Sequence, residues 1–311
     1  MRRATDNKII LVKRRTRLQE LVARYNTTEQ ARFYIEHIGG DFSDYLKEDK
    51  QYGEACLAAE EVLGGLGRLQ VVDREFVPNF SFGKNDTVVV LGQDGLVANT
   101  LKYLDGQKLI GVNPDRLRWD GVLLPFVAED LKLIVSDVFA GYSRVSEVTM
   151  AKAALKDGQI LYGVNDLFIG QRTHVSSRYR IRQGDRAENQ SSSGVIVSTG
   201  LGATGWLKSI LAGAAGVAGF FGSRAAIPDF QKPAWNADSL YFTVREPFPS
   251  QSTGAGLVFG RISRKAPLIL TSNMPENGVI FSDGMENDFI EFSSGMEAVV
   301  SVADKKGCLV V

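Results

Sequence analysis

The 311-residue sequence has few of the residues that mark secreted or metal-binding proteins. Its two cysteines, Cys56 and Cys308, lie far apart, which is typical of reduced thiols in a cytosolic protein. Its two histidines, His37 and His174, exclude a metal site built from several histidines. The 36 basic residues balance the 36 acidic ones, so the charge does not indicate binding to nucleic acid or to an anionic membrane.

The sequence also lacks a long apolar segment. Residues 9–12, near the basic N-terminus, are too short to form a signal peptide. Residues 211–221 are glycine-rich and far shorter than a membrane span. We therefore expect a soluble, cytoplasmic protein, and the length of the chain favours two domains.

The most informative stretch is TVVVLGQDGLVANTLKYL, residues 87–104. Its apolar residues 88–91 predict a buried strand, residues 92–95 a tight turn, and the residues that follow a helix. Such a turn presents free backbone N–H groups and a helix N-terminus to an anion, and its glycines are expected to permit positive φ. The carboxylate of Asp94 would repel a phosphate bound at this turn. Its presence therefore indicates phosphate chemistry in which Asp94 acts as an acid or a base. The alternative is an ordinary turn in which Asp94 caps the helix.

The N-terminal part of the chain alternates strands with helices. Residues 9–12 predict a strand, the apolar spacing around residues 18–25 and residues 55–63 predicts helices, and KLIGVNPD at 108–115 predicts a strand ending in a polar turn. This alternation implies a parallel sheet, whose sites lie beyond the carboxyl ends of its strands. The loops at 92–95 and 111–115 both fall at such ends.

The pattern changes beyond about residue 126. Residues 146–155 predict a helix, and residues 207–221 predict a small-residue helix packed closely against its surroundings. The remaining pattern is typical of an antiparallel sandwich, because short β-type runs alternate with Gly, Pro, Asn and Ser. These runs are residues 161–169, 175–181, 195–198, 240–244, 256–262, 268–270 and 279–281.

Two polar motifs interrupt the β-rich part. GVNDLFIGQ, residues 163–171, places Asn165 and Asp166 between apolar stretches. This is typical of a turn, or of an amide and a carboxylate that hold a ribose hydroxyl or an adenine amine. VSTGLGATGW, residues 197–206, is either a linker or a segment that leaves room for a flat ligand, with Trp206 stacked on a base.

The order and spacing of these motifs resemble the NAD kinase family, and above all its mitochondrial type. That family carries a GGDG loop, an Asn-Glu pair, an STPTGSTAY-like segment and a late Asp-Gly turn. The corresponding residues here are GQDG at 92–95, Asn165-Asp166, STGLGATGW at 198–206 and Asp283-Gly284. The likeness extends to KRRTRLQE at 13–20, IGVNPD at 110–115, SSRYRI at 176–181 and VREP at 244–247, and so spans almost the whole chain.

The resemblance implies a kinase that transfers the γ-phosphate of ATP to the 2′-hydroxyl of the adenosine ribose of NAD, giving NADP. It implies that Asp94 is the catalytic base and that Mg²⁺ is held through the phosphates, without a protein metal site. The implied phosphate- and ATP-binding residues are Gly92, Gln93, Gly95 and Asn113. The implied substrate-binding residues are Asn165, Asp166, Thr199, Ala203, Thr204 and Trp206.

The sequence departs from the family pattern at several of these positions. Gln93 replaces the second glycine of the loop, and Leu96 replaces the threonine that follows it. Asp166 is one methylene shorter than the usual glutamate, Ala203 replaces a hydroxyl or a lysine, and Trp206 replaces a tyrosine. Two alternatives stay open: a related kinase of a sugar, nucleoside or lipid hydroxyl, and a non-catalytic regulatory protein that binds NAD or another nucleotide.

We predict the two-domain architecture of NAD kinases. Residues 1–125 are expected to form an α/β, phosphate-binding domain with a Rossmann-like parallel sheet. Residues 126–311 are expected to form a β-rich, sandwich-like domain that binds nucleotide and substrate, with the last residues packing back on the first domain. The resemblance also implies a homo-oligomer, a dimer or tetramer, whose partner is a small nucleotide rather than a nucleic acid or a membrane.

Overall fold

The structure is a computed structural model of the chain, and the residues described are 4–222, 233–285 and 288–311. These residues form two compact units. Unit 1 contains the residues up to Ser146 together with Cys308–Val311, and unit 2 contains Glu147–Gly307.

Unit 1 is an α/β unit. Its strands run parallel in the order β2–β1–β3–β4, and Cys308 and Leu309 extend the sheet by pairing in parallel with β4. Its helices and strands are, in chain order, β1 (Lys8–Lys13), α1 (Arg17–Tyr25), α2 (Thr28–His37), α3 (Phe42–Leu66), β2 (Arg68–Asp73), β3 (Thr87–Leu91), α4 (Asp94–Leu101), β4 (Lys108–Val112) and α5 (Leu131–Ala140).

The core of unit 1 lies between its sheet and two helices. The central strands are buried on both faces, which explains the continuous apolar runs in their sequences. On one face, Leu63 of α3 and Val135 of α5 pack against alternate strand residues such as Leu11 and Ile110. On the other face, α4 contacts β3 and β4. These layers hold the carboxyl ends of the strands in fixed positions.

The division between the units falls later than the sequence pattern suggests. The predicted boundary lies at residues 125/126, whereas the compact units divide after Ser146. The reason is α5, which buries Leu131 and Val135 in the core of unit 1. At the other end of the chain, Cys308–Val311 belongs to unit 1.

Unit 2 is built from antiparallel strands. One group pairs in the order β16–β13–β8–β9, with β5 beside β16 and β6 beside β5, and the other group has the order β12–β11–β10–β7–β14–β15. The elements are β5 (Val145–Leu155), β6 (Ile160–Gly163), β7 (Asp166–Gln171), β8 (Ser177–Gln183), β9 (Arg186–Ser192), β10 (Val195–Ser198), α6 (Trp206–Phe220), β11 (Leu240–Val244), β12 (Phe259–Ile262), β13 (Leu268–Ser272), β14 (Gly278–Ser282), β15 (Phe289–Glu291) and β16 (Glu297–Val310). Of these, β5 begins and β16 ends in unit 1.

The core of unit 2 is formed by inward-facing residues of both groups of strands. Tyr179 of β8, Phe242 of β11 and Phe292 after β15 are the largest of its fully buried side chains. Alternate residues of the second group, such as Phe168 and Val279, point to the opposite face of that sheet. The sandwich-like architecture predicted for the β-rich part is confirmed.

The helix predicted over residues 146–155 is wrong, because these residues form β5. The alanine-rich sequence favours a helix only weakly. The segment pairs antiparallel with β6, and the small side chains of Ala151 and Ala153 are buried in the core of unit 2. Burial and strand pairing therefore override the local propensity.

The small-residue helix at residues 207–221 forms as α6, but it is not packed closely along its length. Leu207 is its buried residue, and Trp206 and Ile210 pack against the sheet. Towards its end Phe220 is 85% exposed. Among the described residues, no helix is both long and apolar enough to cross a membrane.

Candidate functional site

The strand order of unit 1 indicates where a ligand would bind. We use the name binding edge for the edge of the sheet that the carboxyl ends of β1 and β3 form. From β1 the chain moves to β2 on one side and then returns to β3 on the other side of β1. In parallel α/β sheets, ligands bind beyond the carboxyl ends of the strands where the strand order reverses in this way. Arg14 follows β1 at that edge and Gly92 follows β3. The fold therefore places the turn at residues 92–95 where a ligand is expected.

Tyr52 of α3 ties these two strand ends together. Its hydroxyl accepts a hydrogen bond from the backbone N–H of Arg14 at 2.9 Å and donates one to the carbonyl of Leu91 at 2.9 Å. Burial raises the pKa of Tyr52, so the hydroxyl keeps its proton and remains a donor. The two sides of the binding edge are thus fixed relative to each other.

The turn at residues 92–95 does not have the positive φ expected of its glycines. Neither Gly92 nor Gly95 adopts such a value, so that prediction is wrong. Gln93 has φ −117° and ψ 162°, an extended conformation that any residue adopts, and its presence in place of glycine introduces no backbone strain. A Cβ at Gly95 would meet nothing within 4 Å. The turn takes its shape from the strand and the helix that flank it.

Asp94 is the first residue of α4, where the helix dipole favours a negative charge. Its Oδ1 accepts a hydrogen bond from the backbone N–H of Leu123 at 2.7 Å, and the residue remains half-buried. One oxygen is therefore anchored, which fixes the orientation of the carboxylate. This geometry suits a base that takes a proton from a hydroxyl placed next to the other oxygen.

Asn113 organises the segment that carries Leu123. Its Nδ2 donates to the carbonyl of Trp119 at 3.0 Å, and its Oδ1 accepts from the backbone N–H of Asp115 at 3.0 Å. Only 3% of Asn113 is exposed. Asn113 therefore has a structural role, because these contacts shape the loop that contains Leu123, whose backbone N–H binds Asp94.

A network of ion pairs lies beside the same edge. Glu48 of α3 is buried and accepts hydrogen bonds from Arg14 Nη2 at 2.8 Å and from Nε of Arg17. Burial raises the pKa of Glu48, but the hydrogen bonds from the two arginines outweigh it and lower the pKa. Asp44 connects Arg17 to Arg118, and their hydrogen bonds lower the pKa of Asp44 as well. The network remains charged and holds α1, α3 and the loop that contains Asn113 in place.

In unit 2, the turn before β7 is built around Asp283. The Oδ1 of Asp283 accepts hydrogen bonds from the backbone N–H groups of Asn165 at 2.6 Å and Val164 at 3.0 Å. In return, the N–H of Asp283 donates to the carbonyl of Asp166 at 3.0 Å. Asp283 adopts φ 54°, a left-handed conformation that aspartate tolerates better than most residues. The backbone donors stabilise its negative charge.

Asp166 lies next to that charge. Burial, and then repulsion by Asp283, raise the pKa of Asp166 to about 7. Near neutral pH its carboxyl is therefore divided between the neutral and the ionised form. Such a group donates a hydrogen bond in one form and accepts from a hydroxyl or an amine in both.

The segment at residues 198–206 packs tightly against the same turn. Thr199 is fully buried, and its Oγ1 donates to the carbonyl of Val164 at 2.6 Å. A Cβ at Gly202 would lie 2.0 Å from the carbonyl oxygen of Asn165. The segment is therefore a fixed part of unit 2 and not a linker, and its glycine at 202 allows close packing against protein backbone.

The remaining predicted residues of this segment differ in exposure. Ala203 is buried, Thr204 is exposed, and Trp206 begins α6. The ring of Trp206 stacks on Phe168, with 5.9 Å between the centroids and 8° between the planes. Because Phe168 lies two residues after Asp166, the fold brings the predicted substrate-binding residues of unit 2 into one region.

The sequence pattern does not reveal the role of two groups in the candidate site, the backbone N–H of Leu123 and the carboxylate of Asp283. Leu123 acts through its backbone N–H, which no residue type reveals. Asp283 is visible in the sequence as the aspartate of a hairpin turn, but its hydrogen bonds to the turn at Asn165 join residues more than a hundred positions apart. In each unit the predicted residues lie together: those near Asp94 in unit 1 and those near Asp166 in unit 2.

Two solved structures share this fold along nearly the whole chain. An NAD kinase from Archaeoglobus fulgidus, solved with ATP, has a TM-score of 0.55 at 13% identity, and the match covers 98% of this chain and 93% of that one. A yeast NADH kinase, solved with NADH, has a TM-score of 0.58 at 12% identity, over 99% and 84% of the two chains. The chain therefore has the two-domain fold of the NAD kinases.

The sequence comparison points to the same family. The chain is 29% identical over 130 residues to an NAD kinase from Cupriavidus pinatubonensis, a match that covers 39% of this chain and 41% of that protein. The chain thus matches about two fifths of the length of this relative. No protein-family model matches the chain. The resemblance to NAD kinases that the motifs predict is confirmed, in fold over the whole chain and in sequence over part of it.

Proposed function

We propose that the protein transfers the γ-phosphoryl group of ATP to the 2′-hydroxyl of the adenosine ribose of NAD, giving NADP and ADP. The observation that carries the proposal is the carboxylate of Asp94, held by Leu123 at the N-terminus of α4, in a chain with the fold of the NAD kinases. Phosphoryl transfer depends mainly on positioning and charge stabilisation, and both are features of this turn.

In this proposal Asp94 accepts the proton of the 2′-hydroxyl through its second carboxylate oxygen. The hydroxyl oxygen forms a bond to the γ-phosphorus, the bond between that phosphorus and the β–γ bridging oxygen breaks, and ADP leaves. The first N–H groups of α4 have no partner within the helix and are available to phosphate oxygens. Gly92, Gln93 and Gly95 supply the backbone around them.

The turn of unit 2 supplies the contacts to the substrate. Asp283 accepts hydrogen bonds from the backbone N–H groups of Asn165 and Asp166. The backbone from which these two side chains extend is therefore fixed. The carboxyl of Asp166 suits a ribose hydroxyl or the adenine amine, and the amide of Asn165 suits the same groups. Thr204 and Trp206 lie on the adjoining segment, which Thr199 fastens to the turn.

The reaction requires Mg²⁺, which we assign to the phosphate oxygens of the nucleotide. Within residues 4–222, 233–285 and 288–311, no three His, Cys, Asp or Glu side chains are grouped to hold a metal ion. Mg²⁺ commonly binds substrate phosphates with few protein ligands, so the turn at residues 92–95 would hold it through those phosphates. When bound, it neutralises charge that develops on the transferred phosphoryl group.

We also infer a homo-oligomer, a dimer or tetramer, that works in the cytoplasm on a small nucleotide. The support for this is the resemblance to NAD kinases alone. Multi-angle light scattering of the purified protein measures its mass, and a monomer at micromolar concentration would contradict the inferred assembly.

The decisive experiment is to incubate the purified protein with NAD, ATP and Mg²⁺ and to measure NADP by enzymatic cycling. We expect NADP to form in proportion to the protein added. A complete lack of NADP with ATP, with other nucleoside triphosphates and with polyphosphate would refute the proposal. Phosphate found instead on a sugar, nucleoside or lipid would identify a related kinase, and binding of NAD without transfer would identify a regulatory protein.

A further inference from the structure

Unit 2 contains a cavity of about 350 Å³ beside the sheet β12–β11–β10–β7–β14–β15. The cavity lies on the face of that sheet that points away from the core of unit 2. Its apolar wall includes Phe168, Val279 and Phe281 from the sheet and Trp206 from α6. Phe168 stacks between Trp206 and Phe281, with centroid distances of 5.9 Å and 4.8 Å. The wall is therefore rigid, because each ring supports the next.

Two arginines line the same cavity, and each lies on an aromatic ring. The Cζ of Arg245 is 5.3 Å from the centroid of Trp206, and the Cζ of Arg172 is 4.8 Å from the centroid of Phe289. Stacking restricts a guanidinium to one plane but leaves the N–H groups at its edge free to bind an anion. The two cations are thus held in orientations fixed before any ligand arrives.

Within the described part of the chain, little negative charge opposes these arginines. Arg245 forms a loose ion pair, 3.7 Å, with the largely exposed carboxylate of Glu246. Arg172 forms no ion pair with any residue that the structure describes. The other polar side chains of the lining, Gln171, Thr173, His174 and Ser193, include no carboxylate. An anion that enters the cavity would therefore meet two positive charges and hydrogen-bond donors.

We propose that this cavity binds the phosphate or pyrophosphate group of a nucleotide. The planar fork of arginine matches phosphate oxygens in a two-point hydrogen bond, and the aromatic wall fits the sugar or ring next to the phosphate. The inference rests on the proposed function in one respect, which is the choice of NAD as the nucleotide whose pyrophosphate the cavity holds. Neither arginine takes part in the chemistry assigned to Asp94.

The test compares the wild-type chain with Arg172→Gln, Arg245→Gln and the control Arg182→Gln. Arg182 is an exposed residue of β8 in the same unit and does not line the cavity. Calorimetric titrations use inorganic pyrophosphate, NAD and, as a ligand without phosphate, adenosine. We expect each cavity variant to weaken the binding of pyrophosphate and NAD about tenfold or more, because each loses a hydrogen bond between charged groups. The control variant should bind like the wild type, and adenosine affinity should not change in any variant.

A further variant and a folding measurement exclude misfolding as the cause of weaker binding. Arg245→Lys keeps the charge but loses the fork and the stacking, so its affinity should fall between that of the wild type and that of Arg245→Gln. Circular dichroism checks that every variant is folded. Tryptophan fluorescence gives a second readout of binding, because Trp206, one of three tryptophans in the sequence, lies against Arg245.

Each outcome decides the proposal. Equal affinity of all variants for pyrophosphate and NAD, or no binding of either ligand to the wild type, would overturn it. A loss that affects pyrophosphate but not NAD would support a phosphate site and overturn its assignment to the dinucleotide. The proposed function has a separate measurement, NADP formation, and its failure would leave the binding differences between the variants intact.

Discussion

At the scale of single residues, Asp94 carries the proposed chemistry. We expect Asp94→Asn to lower kcat by about a hundredfold or more, because a positioned general base contributes on this order. The fold should remain intact, since the amide oxygen of asparagine still accepts the hydrogen bond from Leu123. The measurement is the initial rate of NADP formation together with the circular dichroism spectrum.

The matched control for this change is Asp105→Asn, which alters an exposed carboxylate of unit 1 beyond the end of α4. Its activity should equal that of the wild type. Normal turnover by the Asp94→Asn variant would remove Asp94 from the mechanism.

Asp166 gives unit 2 a measurable dependence on pH. Its pKa rises from 3.8 to about 7 on folding, so the folded protein binds a proton that the unfolded chain releases. Stability should therefore fall as the pH rises from about 4 to about 7 and then become level. Asp166→Asn removes this fall and should raise the free energy of unfolding at pH 8, by at most about 4 kcal/mol and by less where solvent reaches the carboxyl.

Urea denaturation at several pH values measures this effect. Asp185→Asn, a change at an exposed carboxylate of the same unit, is the control and should follow the wild type. If Asp166→Asn shows the same pH dependence as the control, Asp166 does not carry the extra proton.

At the scale of elements, the segment at residues 198–206 and the turn before β7 act as one structure. We predict that Gly202→Ala destabilises the protein by about 1–3 kcal/mol or more, because its Cβ would overlap the carbonyl oxygen of Asn165, 2.0 Å away. It should also weaken NAD binding, since the clash moves the backbone of Asn165. Denaturant midpoints and NAD titrations measure the two effects.

The control for this change is Gly213→Ala in α6, where a Cβ meets nothing within 4 Å. A helical glycine replaced by alanine should raise stability by about 0.5–1 kcal/mol. Equal midpoints for the two variants would show that Gly202 is not tightly packed.

The elements differ in how far local patterns predict them. The strand at β3 and the helix at α4 were predictable because an apolar run, a turn and a helical repeat follow one another directly. The strand at β5 was not, because its alanines favour a helix and its pairing with β6 and β16 makes it a strand. Likewise, α6 has the composition of a buried helix, yet Phe220 at its end is exposed.

At the scale of the whole molecule, ligand binding should appear as added stability. A ligand that binds only the folded state, at a concentration of 100 times its Kd, stabilises it by about 2.7 kcal/mol. For a chain of this size we expect NAD to raise Tm by roughly 5 °C. Differential scanning calorimetry measures the shift, with nicotinamide at equal concentration as the control. An unchanged Tm at saturating NAD would contradict the proposed substrate.

The sequence by itself determined the local features of this protein. The run of valines before LGQDG gave a strand, the polar residues after it gave the turn that carries Asp94, and the order of the short motifs pointed to the NAD kinases. These features depend on neighbours in the chain, whose spacing sets the side-chain period and the turn chemistry.

Only the tertiary structure decided how those local features are held. The hydrogen bond from Leu123 anchors Asp94, the carboxylate of Asp283 orders the turn at Asn165, and the stacked rings orient Arg172 and Arg245. Each of these contacts joins residues far apart in the chain, often through a backbone group that carries no sequence signal. Their free energy depends on burial and geometry, which exist only after the chain has folded.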